Sequence, residues 1–346
     1  MRVLIVGGTG NISTAIAAEL IGRGEEVVLY NRARTQSRLA GKCQVITGDR
    51  TNHALFEAQL RRAGTFDCAI DMVGYEPEDA HSAVRAFRGR VGRFVFCSTV
   101  DVYTKAGARY PLREHADRAP DPGFAYAHKK AQMERIFEAA QESGAFSLTI
   151  IRPAATYSDS WAPIPLVGKG LLVLHRLRRG LPLIVLGDGT SLWVSCHRDD
   201  VARAFVAALD NPAAAGRSYH VTGEEWLTWE EYYRTAAQVM GVEPRFAPIP
   251  TELLMHMAPQ AAEWCGINFR YHNLFDNAAA RSDLGFRYTV TWEQGVRRMV
   301  ANHDALGAID ACPPEPLYDR ITDTWSALCA AVPDLEGAGD DAASCH

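Results

Sequence analysis

Short, continuous apolar runs alternate with segments of helical periodicity over the first half of the chain. The runs read RVLIVG, EEVVLYN, FDCAIDMV, GRFVFCST and FSLTIIRP, and the segments between them have the spacing of amphipathic helices. An apolar run without polar alternation is typical of a strand that helices cover on both faces. The pattern therefore predicts an α/β fold with a Rossmann-type doubly wound parallel sheet.

The regular alternation ends near Trp161, where proline-rich and irregular stretches begin. We therefore predict a Rossmann domain over residues 1–160. Residues 161–311 are expected to form mainly a smaller substrate-binding region, with some segments returning to the Rossmann core. Residues 312–346 form a C-terminal extension whose acidic, glycine-rich end we expect to be frayed.

Composition bounds the class of protein. The chain has 346 residues, 47% of them hydrophobic and 22% charged, which is enough to bury a full core. The net charge of -5 gives no overall basic field for nucleic acid, and the short basic clusters are interpreted as solvated helix faces. Nucleic acid is therefore not the expected partner.

The eight cysteines are scattered without metal-binding spacing, so no metal site is predicted. Cys68 and Cys97 stand inside apolar runs, where cysteine behaves as a small hydrophobic residue. No signal-peptide pattern precedes the first strand, and no apolar run approaches the ~18 residues of a membrane span. A cytoplasmic protein with reduced thiols and no membrane partner is expected.

The first strand leads into the glycine-rich turn of MRVLIVGGTGNIS. Gly7 lets the chain turn sharply, Gly10 lets the backbone approach a pyrophosphate, and the following helix directs free N–H groups at the phosphates. Ser13 stands where a dinucleotide-binding fingerprint has a third glycine for close packing, so it is expected to weaken the motif without abolishing it. The alternative is a tight turn without a ligand.

Further motifs occur in a fixed order along the chain. They are GGTGNIS at 7–13, GDR at 48–50, STVDVY at 98–103, YAHKK at 126–130, RPAATY at 152–157 and HRDDVA at 197–202. Together they resemble the extended short-chain dehydrogenase/reductases of the sugar epimerase/dehydratase type. In detail the chain is similar to an atypical branch with Asn-Arg after the second strand, which includes chloroplast proteins described as RNA-binding.

The Tyr126-x-x-x-Lys130 pair is the most specific part of this resemblance. Moving a hydride from a secondary alcohol to a nicotinamide requires a base, and a free tyrosine with a pKa near ~10 is a poor source of phenolate. Lys130 lies one helical turn later on the same face, where the resemblance implies that it stabilises the phenolate and holds the nicotinamide ribose. Thr99 is implied to orient the substrate hydroxyl. The alternative is an ordinary helix start with a solvated lysine.

The resemblance implies NAD(P) as the cofactor. Asp49 is implied to contact the adenine, although a loop aspartate before a helix is also a common cap. The implied cofactor-binding residues are Gly7, Gly10, Asn11, Ile12, Asn31, Arg32, Asp49, Arg50, Met72, Val73, Gly74 and Pro153.

Position 31 bears on the choice between NAD and NADP. An acidic residue there would bind the ribose 2′-hydroxyl of NAD and repel a 2′-phosphate. This chain has the neutral Asn31, followed by Arg32 and Arg34, which favours NADP. The alternative is that both arginines are only solvated.

The substrate contacts are the least determined part of the sequence. Family members that act on nucleotide diphosphate sugars often carry an arginine where this chain has Trp193, which could stack on a ring or belong to the core. Asp101 could orient a substrate hydroxyl or cap a turn, and Arg281 is a candidate anion contact by analogy. His197 and Asp200 are expected to anchor a helix start. The candidate substrate residues are Ser98, Asp101, Trp193 and Arg281.

These residues predict an NAD(P)-dependent epimerase or oxidoreductase acting on a sugar, nucleotide sugar or sugar-like substrate, with epimerisation favoured by family frequency. One alternative is a noncatalytic dinucleotide- or RNA-binding protein. Another is a sugar dehydratase, but dehydratases of this family have Thr-Asp-Glu where this chain has Thr99, Val100 and Asp101. Because Val100 cannot donate a proton, elimination of water would lack its acid. A homodimer is expected by family analogy.

Overall fold

A seven-stranded parallel sheet forms the centre of the molecule. The computed structural model describes residues 1–33 and 41–335. The strands, in chain order, are β1 Arg2–Val6, β2 Glu26–Asn31, β3 Gln44–Thr47, β4 Phe66–Asp71, β5 Val91–Cys97, β6 Ser147–Pro153, β7 Ala155–Tyr157, β8 Leu183–Leu186, β9 Leu192–Trp193, β10 Ser195–His197, β11 Arg217–Val221, β12 Leu227–Thr228 and β13 Phe246–Ile249.

The order of strands across the large sheet is β11-β6-β5-β4-β1-β2-β3, and every neighbouring pair is parallel. The chain runs from β1 outward to β3 and then returns to β4 on the other side of β1. The connections therefore diverge between β1 and β4 and leave a crevice at the carboxyl ends of these strands, which is where open α/β sheets bind ligands.

Helices cover both faces of the sheet. They are α1 Asn11–Gly22, α2 His53–Ala63, α3 Pro77–Phe87, α4 Ala125–Glu142, α5 Leu172–Arg178, α6 Arg198–Ala207, α7 Trp229–Met240, α8 Thr251–Met257, α9 Ala278–Leu284, α10 Trp292–Ala305 and α11 Pro316–Ala331. Apolar residues of α1 and α6 pack on one face, and those of α2, α3 and α4 pack on the other. This burial on both faces accounts for the continuous apolar strands and confirms the predicted fold class.

A second, aromatic core lies beyond the sheet, built from segments after residue 157. The pair β8 and β13 packs with helices α5, α7, α10 and α11. At its centre the rings of Tyr232 and Trp292 stack with centroids 4.1 Å apart, and those of Trp193 and Trp229 stack at 4.9 Å. Such ring pairs stabilise the core beyond the apolar area that they bury.

Two strands of the sheet are absent from the alternation predicted from the sequence. Strand β3 is a four-residue edge strand with mostly exposed side chains, and β11 pairs with β6 after the chain has passed through α5 and α6. Strand β11 is thus one segment of the second half that returns to the central sheet. Within the described residues no helix is long and apolar enough to cross a membrane. Arg34 and the acidic end after residue 335 lie outside the described residues.

Candidate functional site

The glycine turn after β1 takes the conformation that the sequence predicts. Gly7 has φ +88°, and a Cβ atom there would lie 2.3 Å from Cγ1 of Val73. A side chain at this position would therefore meet both backbone strain and a steric clash. The turn leads into α1, which begins at Asn11.

Ser13 closes this turn with its hydroxyl group. Its Oγ donates to the backbone oxygen of Gly7 at 2.7 Å and accepts from the backbone nitrogen of Gly10 at 2.8 Å. The side chain is buried, and Asn11 next to it donates to the backbone oxygen of Thr156 at 3.1 Å. Ser13 therefore holds Gly7 and Gly10 in place. From the sequence, serine was expected only to weaken the motif, and this stabilising role of its hydroxyl group was not predicted.

A cavity of about 520 Å³ lies beside this turn at the end of β2. Asn31 and the exposed Arg32 form part of its wall. The Asn31 side-chain oxygen accepts from the backbone nitrogen of Ala33 at 2.8 Å. The carboxylate of Asp49 accepts from both the nitrogen and the hydroxyl of Thr51, at 3.0 and 2.8 Å. Asp49 thus shapes the loop.

The neighbouring Asn52, and not Asp49, caps helix α2. The Asn52 side chain accepts from the backbone nitrogen of Leu55 at 3.2 Å, which satisfies one of the free donors of the first turn. The alternative interpretation, in which Asp49 caps the helix, is therefore wrong, because the cap lies three residues later.

Arg50 is buried in the floor of the same cavity. Its guanidinium donates to the Asp71 carboxylate at 3.1 Å and to the backbone oxygen of Asp79 at 2.5 Å, and it lies 4.4 Å from the centre of the Phe56 ring. These contacts tie the loop after β3 to the end of β4. Arg50 therefore supports the wall of the cavity as well as lining it.

A second cavity, of about 340 Å³, continues from the first across the crevice. Gly7, Gly10 and Val73 line both cavities, so the two form one groove along the carboxyl edge of the sheet. Gly74 is buried under Met133 and does not line either cavity. The predicted residues that line the second cavity include Asn11, Ile12, Met72, Ser98, Thr99, Tyr126, Lys130 and Pro153.

The predicted pair of Tyr126 and Lys130 lies in the first turns of α4. Lys130 Nζ donates to the backbone oxygen of Cys97 at 2.7 Å and lies 4.7 Å from the centre of the Phe96 ring. Burial lowers the pKa of Lys130, while the Cys97 and Asp71 side chains act in the opposite direction. The ammonium is thus fixed at the end of β5.

The surroundings of Tyr126 favour its neutral phenol. Burial raises the pKa of Tyr126, the Asp101 carboxylate raises it further, and a hydrogen bond with Thr99 opposes them. In this arrangement the phenol holds a proton that it can give to a substrate oxygen.

A polar cluster that the sequence did not predict adjoins Thr99. Thr99 Oγ1 donates to Asp101 Oδ2 at 3.2 Å, and the buried Lys105 donates to Asp101 Oδ1 at 2.9 Å. Lys105 also donates to the side-chain oxygens of Asn268 and Asn273, the latter at 2.6 Å. Asp101 is therefore held by several side chains, and the alternative in which it caps the local turn is wrong, because Thr99 caps that turn by accepting from the backbone nitrogen of Asp101.

A third cavity, of about 390 Å³, opens from Thr99 and Tyr126 toward the aromatic core. Asp101, Asn268 and Asn273 form its polar end. Its remaining wall is mostly apolar and aromatic, and consists of Val100, Ala154, Ala155, Tyr157, Trp161, Ala162, Ile164, Trp193, Val194, Tyr232, Trp264, Phe269 and Phe275, with Thr156 and Ser195. Thr99 and Tyr126 thus lie where the long groove meets the third cavity.

Trp193 is a core residue that stacks on Trp229, and it also lines the third cavity. Arg281 is placed elsewhere: it lies on the surface of α9, donates to Glu224 at 2.5 Å and lines none of these cavities. The structure therefore does not bring Arg281 to the substrate chamber.

His197 and Asp200 lie at the start of α6, as predicted. The His197 ring accepts from the backbone nitrogen of Asp199 at 3.3 Å, and the buried Asp200 carboxylate accepts from the backbone nitrogen of Thr289 at 2.8 Å. Both residues therefore anchor this helix, and neither lines the three cavities.

Helix α4 is joined to the sheet by a buried ion pair. Glu134 receives two hydrogen bonds from Arg152, each of 2.8 Å, and Arg118 donates to the same carboxylate at 2.6 Å. Burial raises the pKa of Glu134, but the Arg152 charge outweighs it and the resulting pKa lies below the usual range. The carboxylate thus fixes the helix that carries Tyr126 and Lys130.

Comparison with known proteins gives a family and several relatives. The sequence model of the NAD dependent epimerase/dehydratase family matches residues 3–222. The 2'-dehydrokanamycin reductase of Streptomyces kanamyceticus is 26% identical over 277 residues, which cover 80% of this chain and 77% of that protein. The chloroplast stem-loop binding protein of 41 kDa b of Arabidopsis thaliana is 25% identical over 254 residues, which cover 69% of this chain and 63% of that protein.

A solved structure shares the fold. The UDP-glucuronic acid 4-epimerase of Bacillus cereus, in complex with UDP-glucuronic acid and NAD, has a TM-score of 0.68 and 17% sequence identity. The match covers 88% of this chain and 100% of that chain. The similarity therefore extends through the second half of the chain as well as the central sheet.

Proposed function

Because the chain belongs to the NAD dependent epimerase/dehydratase family, we propose that it is an NAD(P)-dependent epimerase or oxidoreductase. The reaction moves a hydride at a secondary alcohol or ketone of a sugar, nucleotide sugar or sugar-like substrate. The observation that carries this proposal is the position of Thr99 and Tyr126 at the junction of the long groove and the third cavity, with Lys130 lining the groove beside them. A hydride donor in one chamber and a carbonyl in the other would meet there.

The long groove is the proposed cofactor site. Its two cavities join at Gly7 and Gly10, where the start of α1 would face the pyrophosphate. The adenosine would lie by Asn31 and Asp49, and the nicotinamide by Met72, Val73 and Pro153, where it would supply or accept the hydride. NADP is favoured over NAD because Asn31 is neutral and Arg32 is exposed at the rim.

Tyr126 is the proposed acid and base. Its neutral phenol would donate a proton to the substrate oxygen as a ketone is reduced, and the phenolate would take the proton back in the oxidative direction. Lys130 would stabilise the phenolate by its charge, and Thr99 would orient the substrate oxygen. Burial and Asp101 both favour the neutral phenol, which is the form that donates this proton.

The alternatives are less well supported. A noncatalytic dinucleotide- or RNA-binding protein would have no need of the Thr99, Tyr126 and Lys130 arrangement, and the net charge of -5 offers no general attraction for RNA. A dehydratase would require an acid at position 100, where the buried Val100 lines the cavity. Hydride transfer without elimination therefore agrees best with the site.

The substitution Tyr126→Phe tests this proposal. It removes the phenolic hydroxyl, so turnover should fall by about 100-fold or more, as for loss of a general acid–base, while the Kd of the cofactor stays nearly unchanged. Lys130→Ala should reduce turnover and cofactor affinity together. Steady-state kinetics and fluorescence titration with NADPH measure the two effects.

Tyr271→Phe serves as a matched control, because Tyr271 lines none of the three cavities. This variant should retain the turnover of the wild type. If Tyr126→Phe also retains it, Tyr126 is not the acid–base and the proposed site is wrong.

A further inference from the structure

The third cavity carries little net charge. Its lining contains neither arginine, lysine nor histidine among the described residues, and Asp101 is its only charged side chain. The ammonium of Lys105, directly behind Asp101 at 2.9 Å, balances that carboxylate. A ligand in this chamber therefore meets no unpaired charge.

Building on the proposed function, we infer that the substrate is an uncharged secondary alcohol or ketone with an apolar or aromatic body, and not a nucleoside diphosphate sugar. A diphosphate carries at least two negative charges, and removing such charges from water without cationic partners costs several kcal/mol for each. Asp101 would add repulsion at the polar end. The chamber thus selects against the anionic group that nucleotide sugars share.

The distribution of polar groups gives the orientation of this substrate. Thr99, Tyr126 and Asp101 provide hydrogen-bonding groups at the reactive end, next to the long groove. Indole and phenyl rings form much of the remaining wall, including those of Trp161 and Trp264, which are 48% and 42% exposed, and Trp161 lines the groove as well. Exposed indole rings offer flat apolar faces to a ring of the substrate. The hydroxyl or carbonyl would therefore bind at Thr99, Tyr126 and Asp101, with the apolar body against the aromatic wall.

An adjoining cavity is lined by a lysine and by His303, whose Nε2 atom lies 2.8 Å from the backbone oxygen of Trp161. It shares Trp161 and Trp264 with the third cavity. Among the described residues that line it, Lys169 is the only lysine or arginine. Lys169 is exposed, so water and salt screen its charge. One screened ammonium balances only part of a diphosphate, and the variant Lys169→Ala shows whether it contributes at all.

The experiment is isothermal titration calorimetry, which measures the Kd of three probes for the full chain with and without NADP⁺. Phenyl β-D-glucopyranoside is a neutral sugar derivative, 1-(2-naphthyl)ethanol is a neutral aromatic alcohol, and UDP-glucose carries the diphosphate. At least one neutral probe should bind about tenfold or more tightly than UDP-glucose. The probe that binds best distinguishes a hydroxylated ring from a purely aromatic body.

Three variants locate the binding. Trp161→Ala should weaken binding of the neutral probe by about tenfold, as for loss of an aromatic contact, and this is measured without NADP⁺ because Trp161 also lines the groove. The control Trp226→Ala removes a tryptophan of similar exposure, 47%, that lines none of these cavities, and should leave affinity unchanged. Lys169→Ala should also leave the neutral probe unaffected.

The inference is overturned if UDP-glucose binds as tightly as the neutral probes or if neither neutral probe binds. It is also overturned if Trp161→Ala and Trp226→Ala have the same affinity for the neutral probe. Cofactor binding and the Tyr126→Phe kinetics are measured on the same preparations. A wild type that binds NADP⁺ and depends on Tyr126, yet takes UDP-glucose with high affinity, would refute only the substrate class. A wild type whose turnover does not depend on Tyr126 would refute the proposed function itself.

Discussion

A single buried lysine organises the polar end of the third cavity. An ammonium has three N–H donors, and Lys105 directs them to Asp101, Asn268 and Asn273. Burial lowers the pKa of Lys105, while the Asp101 carboxylate raises it. The short contacts between Lys105 and its partners thus offset part of the free energy that burying the charges costs.

Replacing Lys105 should therefore expose that cost. Lys105→Met leaves the partly buried Asp101 carboxylate without its counterion, and the free energy of unfolding should fall by about 2 kcal/mol. Urea denaturation measures this change, and the double variant Lys105→Met with Asp101→Asn should recover part of the loss because it removes the unpaired charge. Equal stabilities of Lys105→Met and the wild type would contradict the assigned pairing.

Arg32 bears on the cofactor preference at the rim of the groove. We predict a lower Kd for NADPH than for NADH, and Arg32→Ala should narrow this difference because the 2′-phosphate loses a cationic partner. Fluorescence titration with both nucleotides gives the two Kd values. Equal or reversed affinities in the wild type would mean that Asn31 serves the ribose hydroxyls of NAD.

Local motifs explain which site residues could be predicted. Tyr126 and Lys130 stand four positions apart on one helix, and helical geometry alone places them on one face. By contrast, Lys105 contacts Asn268 and Asn273, which lie 163 and 168 positions away along the chain. No local sequence pattern predicts such a cluster, because only tertiary packing brings its members together.

At the scale of elements, a buried network connects α4, β6 and β11. Arg152 on β6 pairs with Glu134 on α4 and donates to the Tyr103 hydroxyl at 2.5 Å. The Tyr103 hydroxyl and the Nε2 atom of His220 on β11 are 2.6 Å apart, and His220 Nδ1 lies 3.0 Å from the backbone oxygen of Asp276. With Nδ1 as the donor to that oxygen, Nε2 accepts from Tyr103. The imidazole is thus held in its neutral form.

This network predicts a dependence of stability on pH. Burial, followed by the charge of Arg152, lowers the pKa of His220 to about 3 in the folded protein, against ~6.5 in the unfolded chain. The unfolded state therefore binds more protons between these values. The contribution of His220 to stability is present above pH ~6.5 and is lost as the pH falls toward 3, by up to ~1.4 kcal/mol per pH unit.

Urea denaturation at pH 7, 6 and 5 tests this dependence. The variant His220→Asn has no imidazole to protonate, so its free energy of unfolding should fall less steeply over this range than that of the wild type. Parallel slopes for the two proteins would show that His220 is not the titrating group.

The same scale shows why some strands escaped prediction. Strands β1, β2, β4, β5 and β6 are apolar because both faces are covered, and their composition makes them evident. Strand β3, with the sequence QVIT, is short and mostly exposed at the sheet edge. Strand β11, with the sequence RSYHV, carries Arg217, Ser218 and His220. Their polar positions break the apolar pattern, and only pairing with β2 and β6 defines them as strands.

At the scale of the whole molecule, the central sheet and the second half of the chain form different parts of the site. The sheet edge provides the groove, while aromatic residues of the second half close the third cavity around Trp193 and Phe269. Thr99 and Tyr126 lie at the boundary, with Val100 and Asp101 beside them. In the proposed reaction the reacting carbon would lie at this boundary, which leaves two outcomes for the hydride.

The fate of the cofactor distinguishes these outcomes. A reductase consumes one NADPH for each ketone reduced, whereas an epimerase returns the hydride to the opposite face of a transient ketone and leaves the cofactor unchanged after each cycle. We predict that incubation of the enzyme with its substrate in deuterium oxide places no solvent deuterium on carbon in either case, because the hydride comes from the cofactor and Tyr126 moves protons only to and from oxygen. Absorbance of NADPH and mass spectrometry of the product measure both quantities. A product that has lost water and carries solvent deuterium on carbon would mean that another group replaces the acid missing at Val100, and that elimination follows oxidation after all.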